Sequence, residues 1–154
     1  MALYYLDPKS GFQYPPQAVA AYRASLEELT LEHDPIAWAE AKQGLGNALK
    51  EFGYDTSNSD YLNQAIDAYN DFFKVIKPDQ QPLQWATVKY ELGEAYVDLG
   101  EQGPGVRYLQ QGVQDYRDAL AALPKDGQPE LRNAIQDDLN IALEDLHQRG
   151  SAGS

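Results

Sequence analysis

Apolar residues recur along this chain at the spacing that gathers them on one side of a helix. Ala18, Tyr22, Leu26 and Leu29 form one such set, and Trp38, Ala41, Leu45, Ala48 and Phe52 form the next. At 3.6 residues per turn, positions three or four apart share a face. No stretch alternates apolar and polar residues, as a half-buried strand would, with comparable strength. The pattern predicts helices over about residues 15–31, 35–52, 61–77, 82–99, 107–122 and 129–148. Pro35, Pro82 and Pro129 fall at three of these starts, where a missing N–H leaves no hydrogen bond unmade. Gly53 and Gly100 fall at two of the ends.

Landmark residues also recur at one ungapped offset of 47. It relates Pro35 to Pro82, Trp38 to Trp85, Leu45 to Leu92, Gly46 to Gly93, Ala48 to Ala95 and Gly53 to Gly100. Tyr14, Tyr61 and Tyr108 follow it three times, as do Tyr22, Tyr69 and Tyr116, and Pro129, Leu139 and Leu146 carry the register into the last segment. A fixed period of this length marks a stacked supersecondary unit, here a helix pair. The repeat units run over about 14–60, 61–107 and 108–149 of one domain spanning 1–149, and 150–154 reads as a flexible tail.

Leu45, Gly46, Ala48, Gly53, Ala65 and Tyr69 resemble the tetratricopeptide signature, and Leu92, Gly93, Ala95, Tyr96, Gly100, Gly112, Tyr116, Ala119, Leu120 and Pro124 resemble it more fully. The Pro-x-x-Trp-Ala lead-in at 35–39 and 82–86 is similar to a bacterial variant of that family. The family period is about 34 residues, so about 13 more per unit lengthen loops and helices here. The resemblance implies an all-α, right-handed α-solenoid of three antiparallel helix pairs, about six helices. In family phase two full units, about 36–77 and 83–124, are flanked by a lone helix on each side. Arg132 replaces the tryptophan and Asn140 the packing glycine in the last segment, so 129–148 is expected to be a capping helix. Residues 1–12, with Leu3, Tyr4, Tyr5 and Leu6, are apolar enough to cover the other end.

Composition narrows the function. The chain has 154 residues, 43% of them hydrophobic, enough for a core without metals or disulfides. It has no cysteine, which removes disulfides, thiol chemistry and Cys-ligated zinc. A net charge of −12 repels phosphate backbones and anionic lipid. No apolar run is long enough to span a bilayer, and the start lacks the layout of a secretion signal. A cytoplasmic protein without nucleic-acid or membrane partners is expected.

Catalytic chemistry finds little purchase. The two histidines, His33 and His147, sit in a polar connection and near a helix end, without the spacing that clasps zinc or orients a nucleophile. The stretch 55–60 has alternating oxygen donors, but Asp60 and Ile66 stand where a calcium loop needs glycine and glutamate. It reads instead as a turn in which Ser59 or Asp60 caps the next helix. Gly44, Leu45 and Gly46 lie inside a helical pattern and read as packing, not as a phosphate loop. The paired carboxylates Asp115 and Asp118, and Asp137 and Asp138, read as solvated helix faces, and the Trp and Tyr series as core. No enzyme activity, metal or cofactor is expected.

The resemblance further implies that the first helix of each unit lines a concave groove. Carried over position by position, the groove residues are Gln43, Asn47, Lys50 and Glu51, then Thr87, Tyr90, Glu94, Val97 and Asp98, then Asp137, Ile141, Glu144 and Asp145. The later members are mostly acidic. Relatives that grip a peptide's C-terminal carboxylate use Lys and Arg at several such places, and only Asn47 matches, so that activity is not expected. The reading is a protein-interaction module holding a basic peptide or protein segment. One alternative is an acidic, antitoxin-like inhibitor that covers a basic site on a target enzyme or nucleic-acid-binding protein. Another, from the ungapped register and the Ser-Gly tail, is an engineered repeat scaffold without a native partner. Two full units are few for this architecture, which leaves homodimerisation by end-to-end stacking open.

Overall fold

The computed structural model describes residues 14–152. Among them lie six helices and no strand: α1 (Tyr14–Glu28), α2 (Pro35–Asp55), α3 (Ser59–Phe72), α4 (Pro82–Glu101), α5 (Arg107–Ala122) and α6 (Pro129–Ala152). The chain divides into two compact units, Met1–Ile76 and Lys77–Ser154. In the first, α2 packs against α1 and α3; in the second, α5 packs against α4 and α6. The cover read into residues 1–12 lies outside the described residues.

Local chemistry explains most helix boundaries. Pro35, Pro82 and Pro129 open α2, α4 and α6 as predicted. Asp34 caps α2 by accepting a hydrogen bond from the Ala37 amide at 3.1 Å. Gln81 stands before α4 at almost the same backbone angles, φ −135° and ψ 68° against −146° and 80°, and makes no side-chain cap. The cap of α3 is Asn58, which accepts from the Asp60 amide at 2.9 Å, rather than Ser59 or Asp60. Ser57 turns the chain at φ 52°, and Asn58 follows in the extended conformation, φ −108° and ψ 106°, that a cap residue adopts.

Two predicted helix ends move because glycine serves another purpose. Helices α2 and α4 run past Gly53 and Gly100 to Asp55 and Glu101. A Cβ on Gly53 would lie 2.8 Å from Leu62 Cγ, and one on Gly100 would lie 2.8 Å from Leu109 Cγ. These glycines let the next helix approach; they do not end the one they belong to. Helix α3 stops at Phe72, short of the predicted 77, and the chain goes on in a tighter turn in which the Lys74 and Val75 amides return only three residues back, to the Asp71 and Phe72 carbonyls at 3.1 Å. That turn tucks Ile76 into the core at 1% exposure.

Glycine and tyrosine together form the seams. In the first unit Gly53 meets Leu62 and Gly46 meets Tyr69, so α2 and α3 run antiparallel; Gly44 faces the Tyr22 ring of α1. In the second unit Gly100 meets Leu109 and Gly93 meets Tyr116, the same arrangement one repeat on. Tyr69, Phe72, Leu49 and Leu62 are fully buried in the first unit, each contributing about 1.5–3 kcal/mol by leaving water. In the second, Val113, Tyr116, Ala119, Leu123, Ile135, Leu139 and Ala142 form one core with Ala86. No helix of the described residues is long and apolar enough to cross a membrane.

Candidate functional site

The residues carried over from the repeat fall in both units and have different surroundings. In the first, Gln43, Asn47 and Lys50 are half-buried on α2 and Glu51 is exposed. Asn47 is held within the fold, its Oδ1 accepting from the Tyr69 hydroxyl at 2.6 Å. In the second, Thr87 donates to the Leu83 carbonyl of its own helix at 2.8 Å. Val97 packs against the core, its Cγ2 2.7 Å from where a Cβ on Gly112 would stand. On α6, Asp137 and Glu144 are exposed, Asp145 is half-buried, and Ile141 shows 58% of its surface.

Four of these residues are drawn together around two tyrosines. Tyr90, Glu94 and Asp98 follow one another at helical spacing on α4. The Tyr90 hydroxyl donates to Asp138 Oδ2 on α6, and its ring leans on the Tyr116 ring of α5 with centroids 5.6 Å apart. Burial, the Asp138 hydrogen bond and the charges of Glu94, Asp138 and Asp137 raise the Tyr90 hydroxyl far above its usual pKa. Burial, then Glu94, Asp138, Tyr90 and Asp98, do the same for Tyr116. Both phenols stay protonated, and that of Tyr90 donates to Asp138. The place is anionic and aromatic, and what it favours chemically is a cation.

Below it on the same helices, Arg149 of α6 reaches the end of α4. Its Nη1 donates to the carbonyls of Gly100 at 2.7 Å, Gly103 at 2.9 Å and Gly105 at 3.0 Å. Helix-terminal carbonyls lack partners within their own helix, and this guanidinium supplies one, which gives α6 reason to continue beyond the predicted 148. Asp145 and Glu101 lie in the same corner: burial and Asp145 raise the Glu101 carboxyl, against Arg149. Arg132, at the repeat position of the tryptophans, likewise donates to the Leu123 and Pro124 carbonyls at 3.4 and 2.9 Å.

The first two repeats also carry a lysine over their tryptophan. Lys42 lies 5.5 Å from the Trp38 ring centre and Lys89 5.3 Å from that of Trp85. Lys42 pairs with Asp71 at 3.0 Å, whereas Lys89 approaches Asp115 at 3.7 Å. Asp115 corrects the reading of a solvated carboxylate, since it is 1% exposed. It stands on a helix face between Gly112 and Tyr116 that closes against α4. The signal was in the repeat: the same position one period earlier is Ala68, a core alanine. Asp138, by contrast, follows Tyr90 by 48 residues, one off the repeat, and no sequence comparison within the chain pairs them.

Among the described residues no group of three or more His, Asp or Glu side chains is disposed to hold a metal ion. Comparison with family models, with curated proteins and with solved structures finds no match to this chain.

Proposed function

We propose that this chain is a tetratricopeptide-like interaction module, and that the α4 and α6 face of its second unit holds a lysine- or arginine-bearing segment of another protein. The observation that carries the reading is the gathering of Glu94, Asp137 and Asp138 about Tyr90, and of Glu94, Asp138 and Asp98 about the Tyr116 ring beside it. An aromatic ring among carboxylates suits an ammonium or guanidinium group, which gains from both. Ile141, exposed one turn after Asp137 and one turn before Asp145, adds an apolar contact for the stem of such a side chain. The family likeness is supported by the seams: Gly46 on Tyr69 and Gly53 on Leu62 recur as Gly93 on Tyr116 and Gly100 on Leu109. A stack of such pairs would be the right-handed solenoid that the resemblance implies.

The test uses the full chain and a fluorescent peptide of alternating lysine, arginine and alanine, with binding followed by anisotropy at low and moderate salt. Replacing Glu94 and Asp98 together by lysine is expected to weaken binding at least about tenfold and to flatten its salt dependence. Replacing Glu27 and Glu28, exposed on α1, by lysine makes the same change in net charge elsewhere. Equal loss in both variants, or no loss in the first, rejects this face as the binding surface.

A further inference from the structure

We propose that Asp115 is a proton-operated latch between α4 and α5, so that the second unit packs most firmly when this carboxyl is protonated and loosens when it is charged. The geometry is that of a charge poorly provided for. Asp115 is 1% exposed, and its Oδ2 accepts no hydrogen bond. Oδ1 has Gln111 Nε2 at 3.2 Å and Lys89 Nζ at 3.7 Å. A carboxylate in water keeps about four acceptor sites filled, and two long contacts do not replace that hydration.

The repeat supplies an internal comparison. One period earlier the buried position is Ala68, 3% exposed, and the lysine of that unit turns to the part-exposed Asp71 at 3.0 Å. The first unit keeps the same glycine and tyrosine seam with a methyl group in that place. Packing therefore does not call for a carboxylate there. Its presence gives the second unit a titratable group that the first lacks.

The charges that bear on Asp115 are Lys89, facing it from α4, and Asp118, one turn on along α5; no charged group of α6 is among them. Lys89 is also engaged with the Trp85 ring. Burial dominates, and with Asp118 it pushes the Asp115 carboxyl up to about 6 against the pull of Lys89 and Gln111. In the unfolded chain the same group ionises near 3.8. Between those values the folded chain holds a proton that the unfolded chain has lost, so stability rises as pH falls through about 6 and is lost as pH rises through it. Above that window, ionised Asp115 lowers the folding equilibrium constant on the order of a hundredfold relative to an uncharged side chain.

Urea unfolding of the full chain tests this at about pH 7.5 and about pH 5, wild type against Asp115→Asn. Acidification relieves general repulsion in both proteins, so the quantity to read is their difference. Asp115→Asn is expected to be the more stable at the higher pH, with the gap closing toward the lower. A gap of equal size at both, or a less stable variant at the higher pH, overturns the proposal. The carboxyl carbon of Asp115, followed by NMR in the wild-type protein, requires no variant. A titration midpoint near 6 supports the latch, and one below about 4.5 overturns it.

Discussion

Gly46 stands so close beneath Tyr69 that a Cβ on the glycine would lie 2.6 Å from Cε1 of the ring. The ring has nowhere to go, because it is fully buried and its hydroxyl is fixed on Asn47. Gly46→Ala would gain about 1 kcal/mol of helix propensity and lose about 1–3 kcal/mol to overpacking. A net loss of up to about 2 kcal/mol is expected from urea unfolding, with a similar loss for Gly93→Ala against Tyr116. Gly150 also lies in a helix but has nothing within 4 Å of its would-be Cβ. Gly150→Ala should gain up to about 1 kcal/mol, so the two substitutions are expected to differ in sign.

Gln81→Asp should give α4 the cap that Asp34 gives α2. The two positions share their backbone conformation, and only Asp34 makes the side-chain bond. A gain of about 0.5–1 kcal/mol is expected, read as a higher melting temperature. Asp34→Ala should lose a comparable amount.

Arg149→Ala should release the carbonyls of Gly100, Gly103 and Gly105 together. Hydrogen bonds from a charged donor contribute about 1.5–3 kcal/mol each at most, and these three share one nitrogen, so a total loss of about 2–3 kcal/mol is expected. Hydrogen exchange should speed up at the end of α4 and the turn into α5 while α2 and α3 keep their protection. Unchanged exchange around residues 100–106 would show that the guanidinium does not hold this turn.

Acid should act on Asp71 and Asp115 in opposite senses. Burial tends to raise the Asp71 carboxyl, but hydrogen bonds and charge from Lys74 and Lys42 outweigh it and hold the group below 3.8. Its stabilising effect is present above that value and is lost as pH falls through the lowered pKa. Lys42→Met should move the Asp71 titration upward in an NMR pH series and leave that of Asp115 in place.

Helix positions and most helix starts were legible in the chain because their causes are local. Apolar spacing, a proline that begins a helix without cost and an aspartate beside it act within one or two turns. The repeat also marked the glycines and tyrosines of the seams, but not what they do: Gly53 and Gly100 read as ends until Leu62 and Leu109 were seen lying against them. Of the candidate site, the α4 residues Tyr90, Glu94 and Asp98 could be named by register, whereas Asp138 could not.

The sequence by itself determined the helices of the described residues, the recurrence of their glycine and tyrosine landmarks and the net charge of −12, since propensity, periodicity and charge are properties of neighbours along the chain. Tertiary structure alone decided that Tyr90 meets Asp138, that Arg149 closes α4, and that Asp115 is sealed from water while Asp71 is not. Those outcomes depend on which helix faces come together, and desolvation is set by that encounter rather than by residue type.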